Sequence, residues 1–304
     1  MEVSDSLDQR WPSAATLLKR STPSAPASLA LLGVHTYRSS LTERSATSTP
    51  AAIRAALERF STYSWLDDVD LAGRIDVVDY DDVEEPDGPD GLERVRESIA
   101  NIDRRDSPLL ILGGDNAATY AAMTSLAGGS LGDWGLITFD AHLDLRDGWS
   151  NGSPVQQLLE AGLNGKYVAQ VGVADFSNSA YYAQRSKDAG ITVIPRSTVR
   201  SMAMGDVVTH ALSVAGHGGR PVYVDLDLDV VDRGSVPSCP AAAPGGLTPD
   251  ELRQATRLLM ADGRVRALDI TEIDVERDAA DQRTVRLAAL LLLECCAGVL
   301  RRAA

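Results

Sequence analysis

The stretch Trp134-Gly-Leu-Ile-Thr-Phe-Asp-Ala-His-Leu-Asp144 decides the fold of this chain. Its first half is an apolar, β-rich run typical of a buried strand, and polar side chains follow directly at Asp140, His142 and Asp144. Side chains two residues apart on an extended chain point the same way, so these three can converge on one point. The stretch therefore predicts a buried strand that ends in a polar site.

Similar apolar runs alternate with helical patterns along most of the chain. Strands are predicted at residues 29–34, 74–80, 108–112, 134–139, 167–173, 191–194, 221–228 and 265–273, and helices at residues 49–60, 91–104 and 249–261. Buried strands that alternate with helices are typical of a parallel sheet covered on both faces. The predicted fold class is therefore α/β, as a three-layer α/β/α sandwich with a mostly parallel sheet.

The domain organisation is predicted from composition. Residues 28–304 show no internal repeat and no change of composition strong enough to divide them. Residues 1–27 are rich in Ser, Ala and Pro, and their prolines are spaced so that no long element is expected. We therefore expect a loose N-terminal leader at residues 1–27 and a single catalytic domain at residues 28–304.

Charge and cysteine content narrow the class of protein. The chain of 304 residues has 29 basic and 43 acidic side chains, a formal net charge of -14, which repels nucleic acid and anionic membrane surfaces. No apolar run is long enough to cross a bilayer, and the N-terminus lacks the apolar core of a secretory signal. Three cysteines match neither a disulfide framework nor a zinc spacing. We expect a cytoplasmic protein with a small-molecule partner.

A second acidic cluster follows the apolar run Pro221-Val-Tyr-Val224. There Asp225, Asp227 and Asp229 again lie at every second position and share a face. In open α/β sheets ligands bind at the carboxyl ends of the strands, which is where both clusters are expected. A single Asp in such a place is more often a helix cap or a solvated side chain, but two clusters, one with a histidine, favour a functional site.

The two clusters indicate a metal site. Several carboxylates on one face repel one another and raise one another's pKa values unless a cation lies among them. Oxygen ligands with one imidazole suit Mn²⁺ better than Zn²⁺, which prefers thiolates. Because four carboxylates would balance two divalent ions, the pattern predicts a pair of ions that activates a water.

The motifs and their order resemble those of the ureohydrolase superfamily of arginase, agmatinase and formimidoylglutamase. The resemblance begins at about residue 29 and runs to the C-terminus. It rests on four segments, which are Asp140-Ala-His-Leu-Asp144, Asp227-Leu-Asp-Val-Val-Asp232, Pro244-Gly-Gly-Leu-Thr248 and Thr271-Glu-Ile-Asp274. It implies an arginase-like fold, two Mn²⁺ ions per chain and hydrolysis of a C–N bond in a linear amidine or guanidine.

The resemblance also implies a role for each metal ligand. Asp140 and Asp227 would bridge the two ions, Asp144 would complete one site, and His142 with Asp229 would complete the other. Asp144 would in addition pass a proton to the leaving amine. Asp144 and His142 are therefore catalytic candidates as well as metal ligands.

Three positions depart from the family pattern. Asn116 stands where the family usually has a histidine ligand, and its neutral amide oxygen is a weaker donor, so the first Mn²⁺ is expected to bind less tightly. Asn151 replaces a histidine that arginases carry in the loop after the DAHxD motif. Asp225 stands where many members have a serine, and it would support the other residues or contact the substrate.

The resemblance is strongest to one branch of the superfamily. Residues 145–152 and 174–183 are similar to those of actinobacterial formimidoylglutamase-like proteins. This similarity implies hydrolysis of N-formimidoyl-L-glutamate to L-glutamate and formamide, a reaction of histidine metabolism. Glu272 matches the acidic residue that receives the cationic end of the substrate in this family, and it is also a catalytic candidate.

The two carboxylates of that substrate would need their own partners. Arg146 is the candidate guanidinium, with Asn151 and Asn178 as helpers. The alternative for Arg146 is an ion pair with Asp147 or another surface acid.

Two other functions stay open at this point. The same core residues would serve an agmatinase or another guanidino-acid ureohydrolase that releases urea. The loss of histidines at positions 116 and 151 would also suit a metal-poor, non-catalytic relative. In either case the resemblance implies a homo-oligomer, as a trimer or hexamer.

Overall fold

The computed structural model describes residues 10–20, 27–103 and 106–303, in which strands and helices alternate. In chain order the strands are β1 (Leu18–Arg20), β2 (Leu29–Val34), β3 (Tyr63–Ser64), β4 (Val69–Asp70), β5 (Val77–Asp82), β6 (Leu109–Gly113), β7 (Gly135–Phe139), β8 (Val168–Val173), β9 (Thr192–Pro195), β10 (Val222–Asp227) and β11 (Val265–Thr271). All except β3 and β4 pair in one parallel sheet, in the order β1-β5-β2-β6-β11-β10-β7-β8-β9. The strands β3 and β4 form a separate antiparallel pair.

Helices cover both faces of the sheet. They are α1 (Thr49–Ala56), α2 (Gly91–Ala100), α3 (Ala117–Ala127), α4 (Pro154–Glu160), α5 (Ala180–Ala189), α6 (Arg196–Val199), α7 (Met204–Ala215), α8 (Pro249–Ala261) and α9 (Arg283–Leu300). Apolar side chains of α1, α6, α7, α8 and α9 pack against one face, and those of α2, α3, α4 and α5 pack against the other. The structure thus confirms the predicted three-layer α/β/α sandwich with a parallel sheet.

The two helical layers explain the apolar runs in the sequence. Every residue of β2, β6, β7 and β8 is buried. Along β2, Leu29 and Leu31 face one core while Ala30 and Leu32 face the other. Because both faces of the sheet are covered, small molecules can reach its strands only at their ends.

The boundaries of the predicted elements differ slightly from the observed ones. Every predicted strand is present, and its ends lie within three residues of the prediction. The largest shift is at β5, which starts at Val77 because Arg74 and Ile75 donate backbone hydrogen bonds to Leu71 in a preceding turn. The helix predicted at 49–60 changes at Leu57 into a short 3-10 turn, and the one predicted at 91–104 ends at Ala100. Residue 104 lies outside the described residues.

The expected leader contains two short elements that the proline spacing did not predict. Residues 14–17 form a 3-10 turn whose Ala14 and Leu17 side chains are buried. The chain then adds β1 to the sheet by pairing Leu18 with Val77 of β5. At residues 14–20, therefore, the expectation of a loose segment is wrong, because two apolar side chains and a strand edge hold the chain in place. Residues 1–9 and 21–26 lie outside the described residues.

Two further expectations concern membranes and thiols. In the described part of the chain, no helix has both the length and the apolar character needed to cross a membrane. Cys239, Cys295 and Cys296 are buried and form no disulfide. Burial raises the pKa of the thiol of Cys296 to about 12, so this thiol stays protonated near neutral pH.

The Pro-Gly-Gly turn after β10 needs its glycines for contact with the backbone. A Cβ atom on Gly246 would lie 2.3 Å from the carbonyl carbon of Val231 and 2.4 Å from the nitrogen of Asp232. Gly245 has a φ of 82°, and its N–H donates to the Asp232 carboxylate at 2.6 Å. Asp232 therefore fixes the turn, and Gly246 allows it to lie against the exit of β10.

Replacement of this glycine should destabilise the fold. We expect Gly246→Ala to lower the free energy of unfolding by about 2 kcal/mol or more, because the added Cβ overlaps backbone that cannot move freely. Thermal unfolding should show a drop in Tm of about 5 °C. The matched control is Gly205→Ala in α7, where a Cβ meets nothing within 4 Å and the φ is not positive. An equal drop in both variants would contradict the explanation.

Candidate metal centre

The site lies where four neighbouring strands of the sheet end side by side. These strands are β6, β11, β10 and β7. Their register places Asp227 opposite Thr271 and Leu226 opposite Phe139, so Asp140 follows at the level of Asp227. Parallel strands present their carboxyl ends at one edge, and the polar residues that end these four strands therefore meet there.

Asp140, His142 and Asp229 form a compact group at this edge. One donor atom from each lies within 4.8 Å of the other two. His142 Nδ1 is 2.8 Å from Asp229 Oδ2 and 3.5 Å from Asp140 Oδ1. The two predicted clusters, from the ends of β7 and β10, thus come together, but not on the extended chain that the period-2 spacing assumed, because residues 141–142 form a bend and Asp229 lies in a 3-10 turn.

The electrostatics of this group suit a cation. Burial and the charge of Asp229 raise the pKa of Asp140 to about 6, and Asp140 Oδ2 is buried without a hydrogen-bond partner in the described structure. Burial alone would lower the pKa of His142, but its contacts with Asp140 and Asp229 raise it to about 12. A protonated imidazole therefore stands where the carboxylates need positive charge. A divalent ion would supply that charge and leave the imidazole neutral as a ligand.

Asp144 and Asp227 extend the carboxylate group. Both are buried, and burial followed by repulsion from neighbouring carboxylates raises the pKa of each well above its usual range. Asp227 also accepts a hydrogen bond from the backbone N–H of Asp229 at 2.8 Å, which fixes its orientation. The oxygen-rich donor set, with one imidazole, fits hard divalent ions such as Mn²⁺.

Asn116 is in direct contact with this group. Its Nδ2 donates to Asp144 Oδ2 at 2.6 Å, and its Oδ1 lies 2.9 Å from the hydroxyl oxygen of Thr119 and 3.0 Å from that of Thr271. In this arrangement the amide nitrogen faces the carboxylates. Coordination of a cation through Oδ1 requires the amide plane to turn over, and the amide nitrogen would then donate to the same two hydroxyls.

Asp225 lies behind Asn116, away from the open part of the site. It is fully buried, and its Oδ2 is 3.5 Å from Asn116 Nδ2. Beside it lies Asp269, a buried acid in the middle of β11 that the sequence analysis missed. Asp269 accepts from the hydroxyls of Thr119 at 2.8 Å and Tyr223 at 2.7 Å. The sequence could have indicated this residue, because Asp269 is a carboxylate inside the apolar run Val265–Thr271.

Glu272 has a partner that the sequence analysis also missed. The side chain of Arg44 forms a buried ion pair with Glu272 Oε2. Glu272 Oε1 accepts from the backbone N–H of Asn116 and from Asn151 Nδ2, both at 2.9 Å. The carboxylate that the resemblance assigns to a cationic substrate thus already contacts one cation in the protein. No local pattern marks Arg44, which lies in an irregular loop between β2 and α1.

The three residues predicted to contact the carboxylates of the substrate occupy different places. Asn178 holds the loop after β7, donating to Ala141 O at 3.2 Å and accepting from Leu143 N–H at 3.0 Å. Asn151 supports Glu272, as described above. Both amides also line the cavity of the site, which has a volume of about 450 Å³.

Arg146 is exposed at this cavity and makes no ion pair with another described residue. Asp147, its expected alternative partner, pairs with Arg185 at 2.8 Å. The structure therefore does not support the interpretation of Arg146 as half of a pair with Asp147, and its charge faces the entrance of the site.

Two site residues have unusual backbone conformations. Asp144 and Glu272 have φ angles of 50° and 67°, in the left-handed region that side chains other than glycine rarely adopt. This conformation costs about 1 kcal/mol or more at each residue, which the surrounding structure must offset. Both residues line the cavity, where the turn of the backbone directs their side chains.

Comparison with known proteins identifies the family. Residues 27–298 match the family model described as Arginase family. The chain belongs to the arginase family. This family membership and the Asp140, His142 and Asp229 group together describe a metal-binding hydrolase of C–N bonds in amidines.

Three similar arginase-family proteins can be compared in detail. The chain is 32% identical over 277 residues to the formimidoylglutamase of Halalkalibacterium halodurans, covering 88% of this chain and 86% of the relative. The crystal structure of formimidoylglutamase from Bacillus subtilis matches with a TM-score of 0.89 at 28% identity, covering 98% and 95% of the two chains. Trypanosoma cruzi formiminoglutamase with Mn²⁺₂ matches with a TM-score of 0.85 at 21% identity, covering 96% and 99%, and shows the fold alone.

Metal binding should stabilise the protein measurably. Mn²⁺ at about 100 times its dissociation constant should add about 2.7 kcal/mol, seen as a rise in Tm of about 5 °C. The rise should be smaller at pH 5.5 than at pH 8, because Asp140, with a pKa of about 6, holds a proton that the ion must displace. In Asp227→Asn, Mn²⁺ should raise the Tm much less than in the wild type. Without Mn²⁺ the variant should unfold at an equal or higher Tm, because it lacks a carboxylate that its neighbours repel. An unchanged rise in this variant would show that Asp227 does not bind the ion.

The weaker donor at position 116 gives a second prediction. Asn116→His should tighten Mn²⁺ binding by about tenfold, equivalent to about 1.4 kcal/mol, because imidazole is the stronger donor. Titration calorimetry of the metal-free protein measures the change, with Asn151→His as the control at the other replaced histidine. Equal affinity in wild type and Asn116→His would mean that residue 116 does not face the metal.

Proposed function

We propose that the chain hydrolyses N-formimidoyl-L-glutamate to L-glutamate and formamide. The observation that carries the proposal is the similarity, over most of the chain, to formimidoylglutamases from two bacteria. In this reaction the oxygen of a water bonds to the formimidoyl carbon, and the bond from that carbon to the glutamate nitrogen breaks. One proton of the water goes to the leaving nitrogen, and the other remains with the formamide.

The proposal includes two Mn²⁺ ions per chain. Six residues would hold the ions at the carboxyl ends of β6, β7 and β10, and they are Asn116, Asp140, His142, Asp144, Asp227 and Asp229. When bound, the ions supply Lewis acidity that makes water a better nucleophile. The buried carboxylates and the unpartnered Asp140 Oδ2 support this assignment.

Asp144 is our candidate for the group that gives a proton to the leaving nitrogen. It lines the cavity, and Asn116 fixes one of its oxygens at 2.6 Å. His142 lies in the same cavity, where Asp229 fixes its ring. Glu272 would contact the amidine end, since about one of the four acceptor positions of its carboxylate remains after three hydrogen bonds.

An assay with Mn²⁺ tests the reaction. Formimidoylglutamate, agmatine, arginine and guanidinobutyrate are offered in turn, with formamide or urea as the readout. We expect turnover of formimidoylglutamate, and a loss of about 100-fold or more in kcat for Asp144→Asn, because the proton donor is removed. Turnover of a guanidine without turnover of formimidoylglutamate would contradict the proposal.

Metal analysis separates this enzyme from a non-catalytic relative. Two Mn²⁺ ions per chain are expected with the metal in excess, and fewer than one would contradict the two-metal site. A cytoplasmic location and a homo-oligomer, as a trimer or hexamer, remain predictions that fractionation and light scattering would test.

A further inference from the structure

Arg44 lies in the wall of the active-site cavity and carries hydrogen-bond donors that have no partner in the described structure. Its side chain is only 2% exposed, and it lines the cavity with His142, Asp144 and Glu272. One nitrogen, Nη2, contacts Glu272, but Nε and Nη1 are buried without any hydrogen-bond partner in the described structure. A buried guanidinium with free N–H groups is costly, so a ligand that accepts hydrogen bonds there would be strongly favoured.

No neighbouring side chain in the described structure accepts a hydrogen bond from Nε or Nη1 of Arg44. Glu272 is held by Asn116 and Asn151 as well as by Arg44, and these contacts orient its carboxylate so that it does not reach the other guanidinium nitrogens. The left-handed φ of 67° at Glu272 fixes its backbone in addition. Two donors of Arg44 therefore stay without a partner in the described structure.

A carboxylate is the ligand group that matches these donors. The planar guanidinium presents its N–H groups in a fork that fits the two oxygens of a carboxylate. Water could also accept these hydrogen bonds, but a carboxylate in addition carries the charge that a buried guanidinium favours. The Arg44 and Glu272 pair then offers a cation and an anion side by side.

We propose that Arg44 binds the α-carboxylate of the substrate and thereby restricts the site to amidines on the nitrogen of an α-amino acid. The inference rests on the proposed function and names the substrate group that this function needs. In formimidoylglutamate a single carbon separates the amidine nitrogen from the α-carboxylate, so the substrate presents a cation and an anion at the same short spacing. The amidine would contact Glu272, and the α-carboxylate would contact Arg44.

The position of Arg44 favours the α-carboxylate over the distant one. Glu272 connects Arg44 to the reacting end, because Glu272 accepts from Asn116, which in turn donates to Asp144. Arg146 lies instead at the exposed part of the cavity and suits the side-chain carboxylate. Agmatine has no carboxylate, and arginine and guanidinobutyrate carry theirs three or more carbons from the guanidine, so none of them matches Arg44.

A pair of substrates isolates the contribution of Arg44. The first is formimidoylglutamate, and the second is 4-(formimidoylamino)butanoate, which lacks only the α-carboxylate. We expect Arg44→Gln to lower kcat/KM for the first by about 100-fold, mainly through KM, and for the second by no more than about threefold. Arg44→Lys should give a smaller loss with the same selectivity, because it keeps the charge but not the fork. The control is Arg96→Gln, which removes an arginine from the surface of α2 and should leave kcat/KM for both substrates unchanged.

Equal losses for both substrates would overturn the inference, because Arg44 would then only neutralise Glu272. The Mn²⁺ content and Tm of each variant show whether it is folded, and Arg44→Lys provides the comparison if Arg44→Gln is not. If the wild type hydrolyses neither substrate, the proposed function fails. Calorimetry of the Mn²⁺-loaded protein then tests whether Arg44 binds an α-carboxylate. Tighter binding of L-glutamate than of 4-aminobutanoate, lost in Arg44→Gln, would support the inference, and equal binding of both would overturn it.

Discussion

The concentration of buried negative charge at one edge of the sheet is the constraint on which the rest of the site depends. Burial and mutual repulsion raise the pKa values of Asp140, Asp144 and Asp227. The parallel sheet creates this concentration, because its four middle strands end at the same level. The sheet also prevents the carboxylates from moving apart, since the strands are rigid and their faces are covered. A cation that binds here meets ligands that are already in place.

Neutral amides hold the loops around this charge. Asn116 donates to Asp144, Asn151 donates to Glu272, and Asn178 binds the backbone on both sides of His142. An amide can orient a carboxylate without adding charge of its own, whereas a histidine at the same place can gain a proton. At positions 116 and 151, therefore, neutral side chains orient the acidic groups without adding a charge that depends on pH.

The site was predictable from the sequence where its residues follow strands. Asp140 and His142 follow β7, and Asp227 and Asp229 end and follow β10; because these two strands are neighbours, the residues meet, although the chain bends after both strands and is not extended there. Arg44 was not predictable, because its loop has no periodic pattern and its partner is 228 positions away in the chain. The ordered structure of residues 14–20 was missed for a related reason. Two apolar side chains in a Pro-rich segment are buried there only because distant parts of the chain cover them.

The two edges of the sheet have a consequence for how the protein behaves at high concentration. The edge strand β1 has only three residues, and its Lys19 and Arg20 are exposed. The opposite edge, β9, has four residues and ends at Pro195, which has no N–H to donate. Short edges that carry positive charge or proline are poor templates for another strand. The sheet therefore resists edge-to-edge aggregation although its interior strands are continuous apolar runs.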